Sequence, residues 1–337
     1  MMTVDGSHII KEIFEADNAA WQALPLKIFA YQYENNKLYR QYCDMLRIKP
    51  ADVNAVHQIP FLPVQFFKSH AIITGEFDPG LVFESSGTTG SINSRHHLRD
   101  VSVYERSFLT GFEKFYGNPA DYCIIGLLPS YLERGSSSLV YMVNELIKRS
   151  GNACSGFYLY EFEKLKETLC QNERQGIKTL LIGVTYALLD FAEQFPMPLT
   201  HTIVMETGGM KGRREELTRQ EVHAILKKQF SLESIHSEYG MTELLSQAYS
   251  PGEGIFHPST TMKVLLRAED DPFDVSGDIP AGKEFASGAI NLIDIANLYS
   301  CSFIATDDMG KLFADGSFEV LGRLDNSDIR GCGLMIL

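Results

Sequence analysis

Three apolar runs, separated by segments of helical periodicity, constrain the fold of this chain more than any other feature. The runs cover residues 122–128, 178–184 and 201–205. The first is apolar at every position, and the other two are apolar after Lys178-Thr179 and His201-Thr202. A run that is apolar at every position is typical of a strand buried on both faces, as in a parallel sheet. Segments with apolar residues at helical spacing follow the runs, at residues 138–148, 187–194 and 214–229. This alternation predicts βαβ units and therefore an α/β fold with a largely parallel sheet.

The regions on either side of the alternation have a different character. Apolar spacing predicts helices over residues 7–48, and two prolines predict extended chain over residues 59–64. Short strands are predicted at residues 72–74 and 81–83. From about residue 255, turns rich in Asp, Gly and Pro separate short strands and predict a β-rich subdomain. These strands are predicted at residues 262–267, 288–295 and 319–321.

Charge and composition argue against several classes of function. The 337 residues include 30 Lys and Arg against 43 Asp and Glu, a net charge of −13. Such a balance disfavours binding to nucleic acid or to an anionic membrane surface. No apolar stretch is long enough to span a bilayer, and residues 1–16 do not resemble a signal peptide. We therefore expect a cytoplasmic protein whose six scattered cysteines are reduced thiols without a Cys-x-x-Cys zinc site.

One residue after the predicted strand at 81–83, a run of glycines and hydroxyl residues predicts a phosphate-binding turn. It consists of Ser85, Ser86, Gly87, Thr88, Thr89 and Gly90. The glycines allow the backbone to aim successive N–H groups at one anion, and the four hydroxyls add donors. The run contains no lysine, so we expect Mg²⁺ to balance the phosphate charge. The alternative is an ordinary surface turn, because short motifs of this kind are common.

A second cluster, at residues 239–243, reads Tyr-Gly-Met-Thr-Glu. Tyr239 offers an aromatic face to a purine. Thr242 offers a hydroxyl to a phosphate oxygen, and Glu243 offers a carboxylate to Mg²⁺. The alternative is a turn that enters a helix, with Thr242 or Glu243 as a cap residue.

A third cluster combines Thr-Asp-Asp-Met-Gly at residues 306–310 with Gly-Arg-Leu-Asp at residues 322–325. A carboxylate such as that of Asp308 can accept both hydroxyls of a ribose, and Arg323 can pair with a phosphate. The alternative is a hairpin turn with a surface salt bridge, which contributes little stability.

The order of these clusters resembles that of the adenylate-forming superfamily, which contains acyl-CoA synthetases, peptide-synthetase adenylation domains and luciferases. In that superfamily a histidine stands seven residues after the phosphate loop, and His97 occupies that position here. The Tyr-Gly-x-Thr-Glu motif is complete and includes Gly240. Gly208 and Gly209 match the place where the superfamily lines its adenine pocket. The resemblance implies the large-domain fold of these enzymes, with ATP and Mg²⁺ as cofactors.

The chain departs from the superfamily pattern in three places. Asp307 replaces the glycine of the Thr-Gly-Asp-x-Gly motif, and Asn93 stands where a lysine usually follows the phosphate loop. A lid domain with a catalytic lysine normally follows the Gly-Arg-x-Asp motif, whereas only 12 residues follow Asp325 here. We therefore expect the large-domain fold without the C-terminal lid.

Within the superfamily, the chain resembles the acyl-protein synthetases of the fatty acid reductase complex of bacterial bioluminescence. Further similar runs lie at residues 94–98, 128–142 and 328–334. In that family the acyl group passes to a cysteine near the C-terminus, and Cys332 matches it. The resemblance implies that ATP activates a fatty acid, long-chain in that family, as an acyl-adenylate. Cys332 then takes the acyl group as a thioester and delivers it to a partner acyl reductase that uses NADPH.

The same resemblance implies an organisation of the chain and a role for each matched residue. Residues 1–80 form a helical region that packs on the core, and residues 81–254 form the nucleotide- and acyl-binding α/β core. Residues 255–325 form a β-rich subdomain of the same large domain, and residues 326–337 form a tail with Cys332. The implied nucleotide-binding residues are Ser85, Ser86, Gly87, Thr88, Thr89, Gly90, Gly208, Gly209, Tyr239, Gly240, Asp308 and Arg323. The implied catalytic residues are Cys332, Glu243, Thr242 and His97, with Glu243 also as the metal ligand.

Other functions stay open at this point. Coenzyme A or a carrier-protein thiol replaces Cys332 as acceptor in ligases of the phenylacetate-CoA type, and Cys332 is then an inert residue. Asp307 and Asn93 also leave room for a non-catalytic nucleotide-binding subunit that regulates a partner. His97 is alternatively a hydrogen-bonded histidine of the core.

Overall fold

The computed structural model describes residues 6–85, 92–128, 136–208 and 217–324. Within these ranges, helices pack on a large mixed sheet and on a separate two-stranded hairpin. The α-helices are α1 (Gly6–Glu15), α2 (Leu24–Asn35), α3 (Lys37–Met45), α4 (Phe66–Ser69), α5 (Val101–Tyr116), α6 (Ser138–Ser150), α7 (Phe162–Gln175), α8 (Thr185–Gln194) and α9 (Arg219–Phe230). The predicted α/β class is confirmed.

The strands follow the predicted positions closely in the second half of the chain. They are β1 (Leu62–Pro63), β2 (Leu81–Glu84), β3 (Arg95–Leu98), β4 (Cys123–Leu127), β5 (Gly156–Phe157), β6 (Thr179–Gly183), β7 (Thr202–Glu206), β8 (His236–Tyr239), β9 (Ala248–Ser250), β10 (Ile255–Pro258), β11 (Met262–Arg267), β12 (Val275–Ser276), β13 (Phe285–Asp294), β14 (Phe303–Phe313) and β15 (Phe318–Arg323). Every residue of β4 and β6 is buried, and this explains why the two strands are apolar at every position except Thr179.

The large sheet changes its pairing at β8. From one edge its order is β12-β11-β13-β14-β15-β10-β9-β8-β7-β6-β4-β5, and β1 pairs in parallel with β14. Strands β8, β7, β6, β4 and β5 are parallel to one another and form the predicted βαβ part. From β8 to β12 every successive pair is antiparallel. The sheet is therefore continuous across residue 254, and the predicted limits at 80, 254 and 325 stay predictions.

The strand predicted at residues 72–74 is wrong. The backbone N–H of Thr74 donates to Tyr299 O at 2.8 Å, and its hydroxyl donates to Ser300 O at 2.5 Å. Asn36 Nδ2 also donates to Ser300 O, at 3.0 Å. Because these bonds run to a loop, they hold the segment in place without a strand partner.

The helix predicted from residue 214 begins later, at Arg219. A capping box sets this start: the Thr218 hydroxyl accepts from Glu221 N at 3.3 Å, and the Glu221 carboxylate accepts from Thr218 N at 2.8 Å. Residues 214–216 lie outside the described ranges.

The N-terminal helices pack on the antiparallel part of the sheet. Phe29 of α2 and Tyr39 of α3 each have a ring centroid 6.2 Å from that of Phe303, the first residue of β14. Gln32 is fully buried between them and the loop before β14. Its Nε2 atom donates to the carbonyl oxygens of residues 297 and 298, and its Oε1 atom accepts from Ser302 N at 3.0 Å. Among the described helices, none combines the length and apolar character that crossing a bilayer requires.

Replacing Gln32 with leucine tests this attachment. The change removes the partner of Ser302 N and of Leu298 O, whereas Asn297 O still accepts from Ser300 N at 3.2 Å. We therefore expect the free energy of unfolding to fall by about 3 kcal/mol. Urea denaturation measures it. Gln41→Leu, at an exposed position of α3, is the control and should change stability by less than about 0.5 kcal/mol. Equal losses in the two variants would contradict the role of these bonds.

Candidate functional site

A cleft of about 440 Å³ opens beside β8, where the sheet changes from parallel to antiparallel pairing. Residues after the ends of β7 and β8 line it, and ligands commonly bind at such a point of α/β sheets. The predicted site residues in its wall are Ser85, Gly240, Thr242, Glu243, Asp308 and Arg323. Members of all three sequence clusters therefore meet at one cleft, although Ser85 and Arg323 are 238 positions apart.

The hairpin of β2 and β3 places Ser85, the first residue of the predicted phosphate loop, at this cleft. Ser85 N donates to Ser94 O at 3.0 Å, and Ser94 N donates to the Ser85 hydroxyl at 2.9 Å. These bonds close the base of the loop. Ser86, Gly87, Thr88, Thr89 and Gly90 lie outside the described residues, so their contact with phosphate stays a prediction.

The loop after β8 is held by two buried polar side chains. Asn297 Nδ2 donates to Glu243 O at 2.8 Å, and His96 Nδ1 lies 2.8 Å from Thr242 O. The other ring nitrogen of His96 is 2.9 Å from Asn297 Oδ1. Both contacts on the ring are with acceptors, which favours the charged form, but burial lowers the pKa of His96 to about 4. The neutral ring therefore donates through one nitrogen, and Asn297 is the more definite support of the loop.

Glu243 is the carboxylate best placed to share a metal ion with phosphate. It is 7% exposed and lines the cleft. Burial raises its pKa, while a hydrogen bond with Ser94 and the charges of Lys68 and Arg323 lower it. The described residues contain no cluster of three or more His, Cys, Asp or Glu suited to a metal ion. Mg²⁺ is commonly held by one or two carboxylates together with substrate phosphates, and Glu243 offers one such carboxylate.

Acidic side chains outnumber basic ones in the described part of the cleft wall. Five carboxyl side chains line it, and they belong to Glu84, Glu238, Glu243, Asp307 and Asp308. Lys68 and Arg323 are the basic side chains of that wall within the described ranges. Mg²⁺ brought in with a polyphosphate would balance part of this negative charge.

Tyr239, Asp308 and Arg323 are linked in the structure. The Tyr239 hydroxyl donates to Asp308 Oδ2 at 2.7 Å, and Arg323 Nε lies 3.9 Å from Asp308 Oδ1. The Tyr239 ring is buried, with centroids 5.8 Å from Phe256 and 5.4 Å from Phe318. It is not part of the described cleft lining. The structure thus assigns Tyr239 a definite contact, orientation of Asp308, whereas its predicted stacking on adenine stays a prediction.

Glu206 at the end of β7 fixes the backbone at Gly208. Its Oε2 atom accepts from Gly208 N at 2.6 Å, and its Oε1 atom lies 3.5 Å from Arg219 Nε and 3.6 Å from His223 Nε2. Burial alone would raise the pKa of Glu206, but His223, Arg219 and other hydrogen bonds lower it to about 2. Gly208 has φ of 72°, a left-handed conformation that favours glycine. Gly209 lies outside the described residues.

Two predicted catalytic residues are not brought to the cleft by the described structure. His97 borders a separate small cavity with Arg99 and Tyr299, and its Nδ1 atom is buried without a hydrogen-bond partner. Burial and the nearby Arg95 lower the pKa of His97. Cys332 lies outside the described residues, and its role stays a prediction.

Comparison with known proteins gives one curated relative with similarity along most of the chain. It is a long-chain-fatty-acid–luciferin-component ligase from Vibrio harveyi, 24% identical over 330 residues, or 91% of this chain and 84% of the relative. No protein-family model matches the chain.

Solved structures decide the fold. ATP-bound MatB from Rhodopseudomonas palustris aligns with a TM-score of 0.52 at 17% identity, over 72% of this chain and 47% of that chain. A long-chain-fatty-acid-CoA ligase (FadD1) from Archaeoglobus fulgidus aligns with a TM-score of 0.50 at 15% identity, over 73% of this chain and 52% of that chain. The fold is that of the adenylate-forming enzymes. The chain matches about half the length of these structural relatives.

Within this adenylate-forming fold, several residues that shape the cleft carry no sequence signal. Lys68 of α4 lines the same cleft as Glu243, which is 175 positions further along the chain, and its charge lowers the pKa of Glu243. Asn297 donates a hydrogen bond to the backbone oxygen of Glu243, and Glu206 accepts one from the backbone N–H of Gly208. His96 differs from these three residues, because it lies in the run at residues 94–98 that resembles the acyl-protein synthetases.

The Glu206 network predicts a pH-dependent loss of stability. Glu206→Gln removes a charge whose pKa falls from 4.5 to about 2 on folding, a shift equivalent to about 3 kcal/mol. A lowered pKa stabilises the fold above pH 4.5, and this contribution disappears as the pH falls toward 2. Urea denaturation should therefore show a deficit for Glu206→Gln that is largest at pH 7 and shrinks below pH 4.5.

Glu233→Gln, at an exposed position before β8, is the matched control. Its free energy of unfolding should equal that of the wild type at pH 7 and at pH 3. A deficit in Glu206→Gln that is the same at pH 7 and at pH 3 would contradict the assigned charge pairing.

Proposed function

We propose that this protein uses Mg·ATP to activate a carboxylic acid as an acyl-adenylate. The observation that carries the proposal is the convergence of Ser85, residues 240–243, Asp308 and Arg323 on one cleft at the pairing change of the sheet. The adenylate-forming fold supports it. So does the name of the Vibrio harveyi relative, a ligase of long-chain fatty acids.

In the proposed reaction, a carboxylate oxygen of the acid attacks the α-phosphorus of ATP. The bond from that phosphorus to the bridging oxygen breaks, and pyrophosphate leaves. Glu243 would hold Mg²⁺, which balances phosphate charge. Thr242 would donate to the α-phosphate, Asp308 would accept ribose hydroxyls, and the exposed Arg323 would pair with phosphate or ribose. Catalysis of this kind is mainly positioning and charge stabilisation.

The second proposed step moves the acyl group to Cys332. Its thiolate attacks the carbonyl carbon of the mixed anhydride, so that a thioester forms and AMP leaves. A nucleophile on the same chain benefits from a high effective concentration. We propose that the acid is a long-chain fatty acid, that an NADPH-dependent acyl reductase accepts the acyl group, and that both proteins are cytoplasmic. The relative's name and the similarity at Cys332 support this part.

Acid-dependent exchange between ATP and labelled pyrophosphate tests the first step. We expect the wild type to support exchange with at least one acid of a panel of fatty, aromatic and short-chain acids. Glu243→Gln should reduce the rate by about 100-fold or more, because it removes the negative ligand of the metal. Glu167→Gln, at an exposed position of α7, should leave it unchanged. ATP binding without exchange for any acid would instead favour the non-catalytic regulatory subunit.

Labelled acid and ATP test the second step. The wild type should retain label that hydroxylamine releases, while Cys332→Ala should lose this label and keep acid-dependent exchange. Cys154→Ala, which removes a partly buried thiol of another region, should retain it. Thiol-labile label on Cys332→Ala would refute the assigned nucleophile. Acyl-CoA formation unaffected by Cys332→Ala would favour the ligase of the phenylacetate-CoA type.

A further inference from the structure

The cleft wall below Gly240 contains polar groups that the proposed adenylation does not use. Gln247 lines the cleft, is only 4% exposed, and its Oε1 atom is buried without a hydrogen-bond partner. Glu238 also lines the cleft, and its carboxyl forms no hydrogen bond among those of the described residues. Buried polar atoms of this kind are normally paired, so an unpaired one in a cavity points to a missing partner.

These two side chains stand side by side. A Cβ atom at position 240 would lie 2.6 Å from Glu238 Oε1 and 3.6 Å from Gln247 Cγ. Glycine at this position therefore leaves room for the two polar groups to face the cleft together. A ligand atom beside Gly240 would come within reach of both.

Glu238 lies on the opposite face of β8 from Tyr239, whose hydroxyl contacts the predicted ribose ligand Asp308. Side chains alternate along a strand, so Glu238 and Tyr239 point to opposite faces. Tyr239 points to Asp308, Phe256 and Phe318. The cleft that Glu238 lines is also lined by Tyr104, Leu139 and Met142 of α5 and α6, and by Ser137 and Ser138 at the start of α6. This part of the cleft suits the acid rather than the nucleotide, because it combines the apolar side chains of Leu139 and Met142 with the polar pair.

The protonation state of Glu238 narrows the chemistry of the missing partner. Burial, and then the charge of Glu206, raise the pKa of Glu238 to about 8. At neutral pH its carboxyl is therefore mostly neutral and offers one donor and one acceptor. Gln247 Oε1 offers an acceptor. A hydroxyl group, which both donates and accepts, satisfies this pair, whereas a plain alkyl chain leaves both residues unpaired.

We infer that the acid activated in this cleft carries a hydroxyl group, which donates to Gln247 Oε1 and pairs with the Glu238 carboxyl. This inference rests on the proposed function and specifies its substrate class as a hydroxylated carboxylic acid. Sites built to hydrogen-bond a substrate hydroxyl discriminate strongly against analogues that lack it, because the protein groups are then left unpaired.

The experiment is acid-dependent ATP–pyrophosphate exchange with matched pairs of acids. Each pair contains an acid with a hydroxyl at the 2-position, the 3-position or the chain end, and its parent without that group. Amino-substituted acids form a third arm. We expect kcat/KM for at least one hydroxy acid to exceed that of its parent by about tenfold or more. In Gln247→Leu this ratio should fall to about one, whereas Glu238→Gln, which keeps a donor and an acceptor, should retain most of it.

The outcomes separate the two proposals. Exchange with parent acids at least as fast as with every hydroxy acid would leave the proposed function standing and overturn the hydroxyl inference. A preference for amino-substituted acids would also overturn it, since an ammonium group requires an ionised Glu238. No exchange with any acid would overturn both. The wild-type panel alone decides the inference if Gln247→Leu fails to fold, and thermal unfolding of each variant identifies that case.

Discussion

The change of strand pairing at β8 is the constraint on which the candidate site depends. β8 pairs in parallel with β7 and antiparallel with β9. A parallel neighbour ends at the same edge of the sheet, whereas an antiparallel neighbour begins there. The pairing therefore gathers at one place the residues that follow β7, those that follow β8 and the residue before β9. Thr207, Glu243 and Gln247 share a cleft there. The parallel strands β4, β6 and β7 contribute to one hydrophobic core, whereas Tyr239 of β8 belongs to a second core with β11, β13 and β14.

Buried polar contacts hold this junction in one arrangement. Asn297 binds the backbone of the loop after β8, and Glu206 binds the backbone after β7. Asp294, at the end of β13, accepts from Leu245 N at 2.7 Å and from Ser246 N at 3.0 Å, and so fixes the approach to β9. Burial raises the pKa of Asp294 to about 6. Carboxylates used in this way cost desolvation energy, but each satisfies backbone donors that would otherwise be unpaired.

The sequence predicted the elements whose cause is local and failed where the cause is remote. β4 and β6 were predictable because a strand buried on both faces must be apolar throughout. The start of α9 was missed although its capping box at Thr218 and Glu221 is visible in the sequence. Residues 72–74 have the composition of a strand, but Thr74 and Asn36 bind a loop more than 200 positions away. Local propensity contains no information about such partners.

The sequence by itself determined the α/β class, the order of the motifs and the chemistry that Ser85, Glu243, Asp308 and Arg323 can offer. Only the tertiary structure decided that these residues share one cleft and that Lys68 lines it together with Glu243. It also decided that Tyr239 is buried against Phe256 and Phe318 with its hydroxyl on Asp308. The physical reason is that a side chain's chemistry belongs to its residue type, whereas its burial, its partners and its pKa depend on what the fold packs against it.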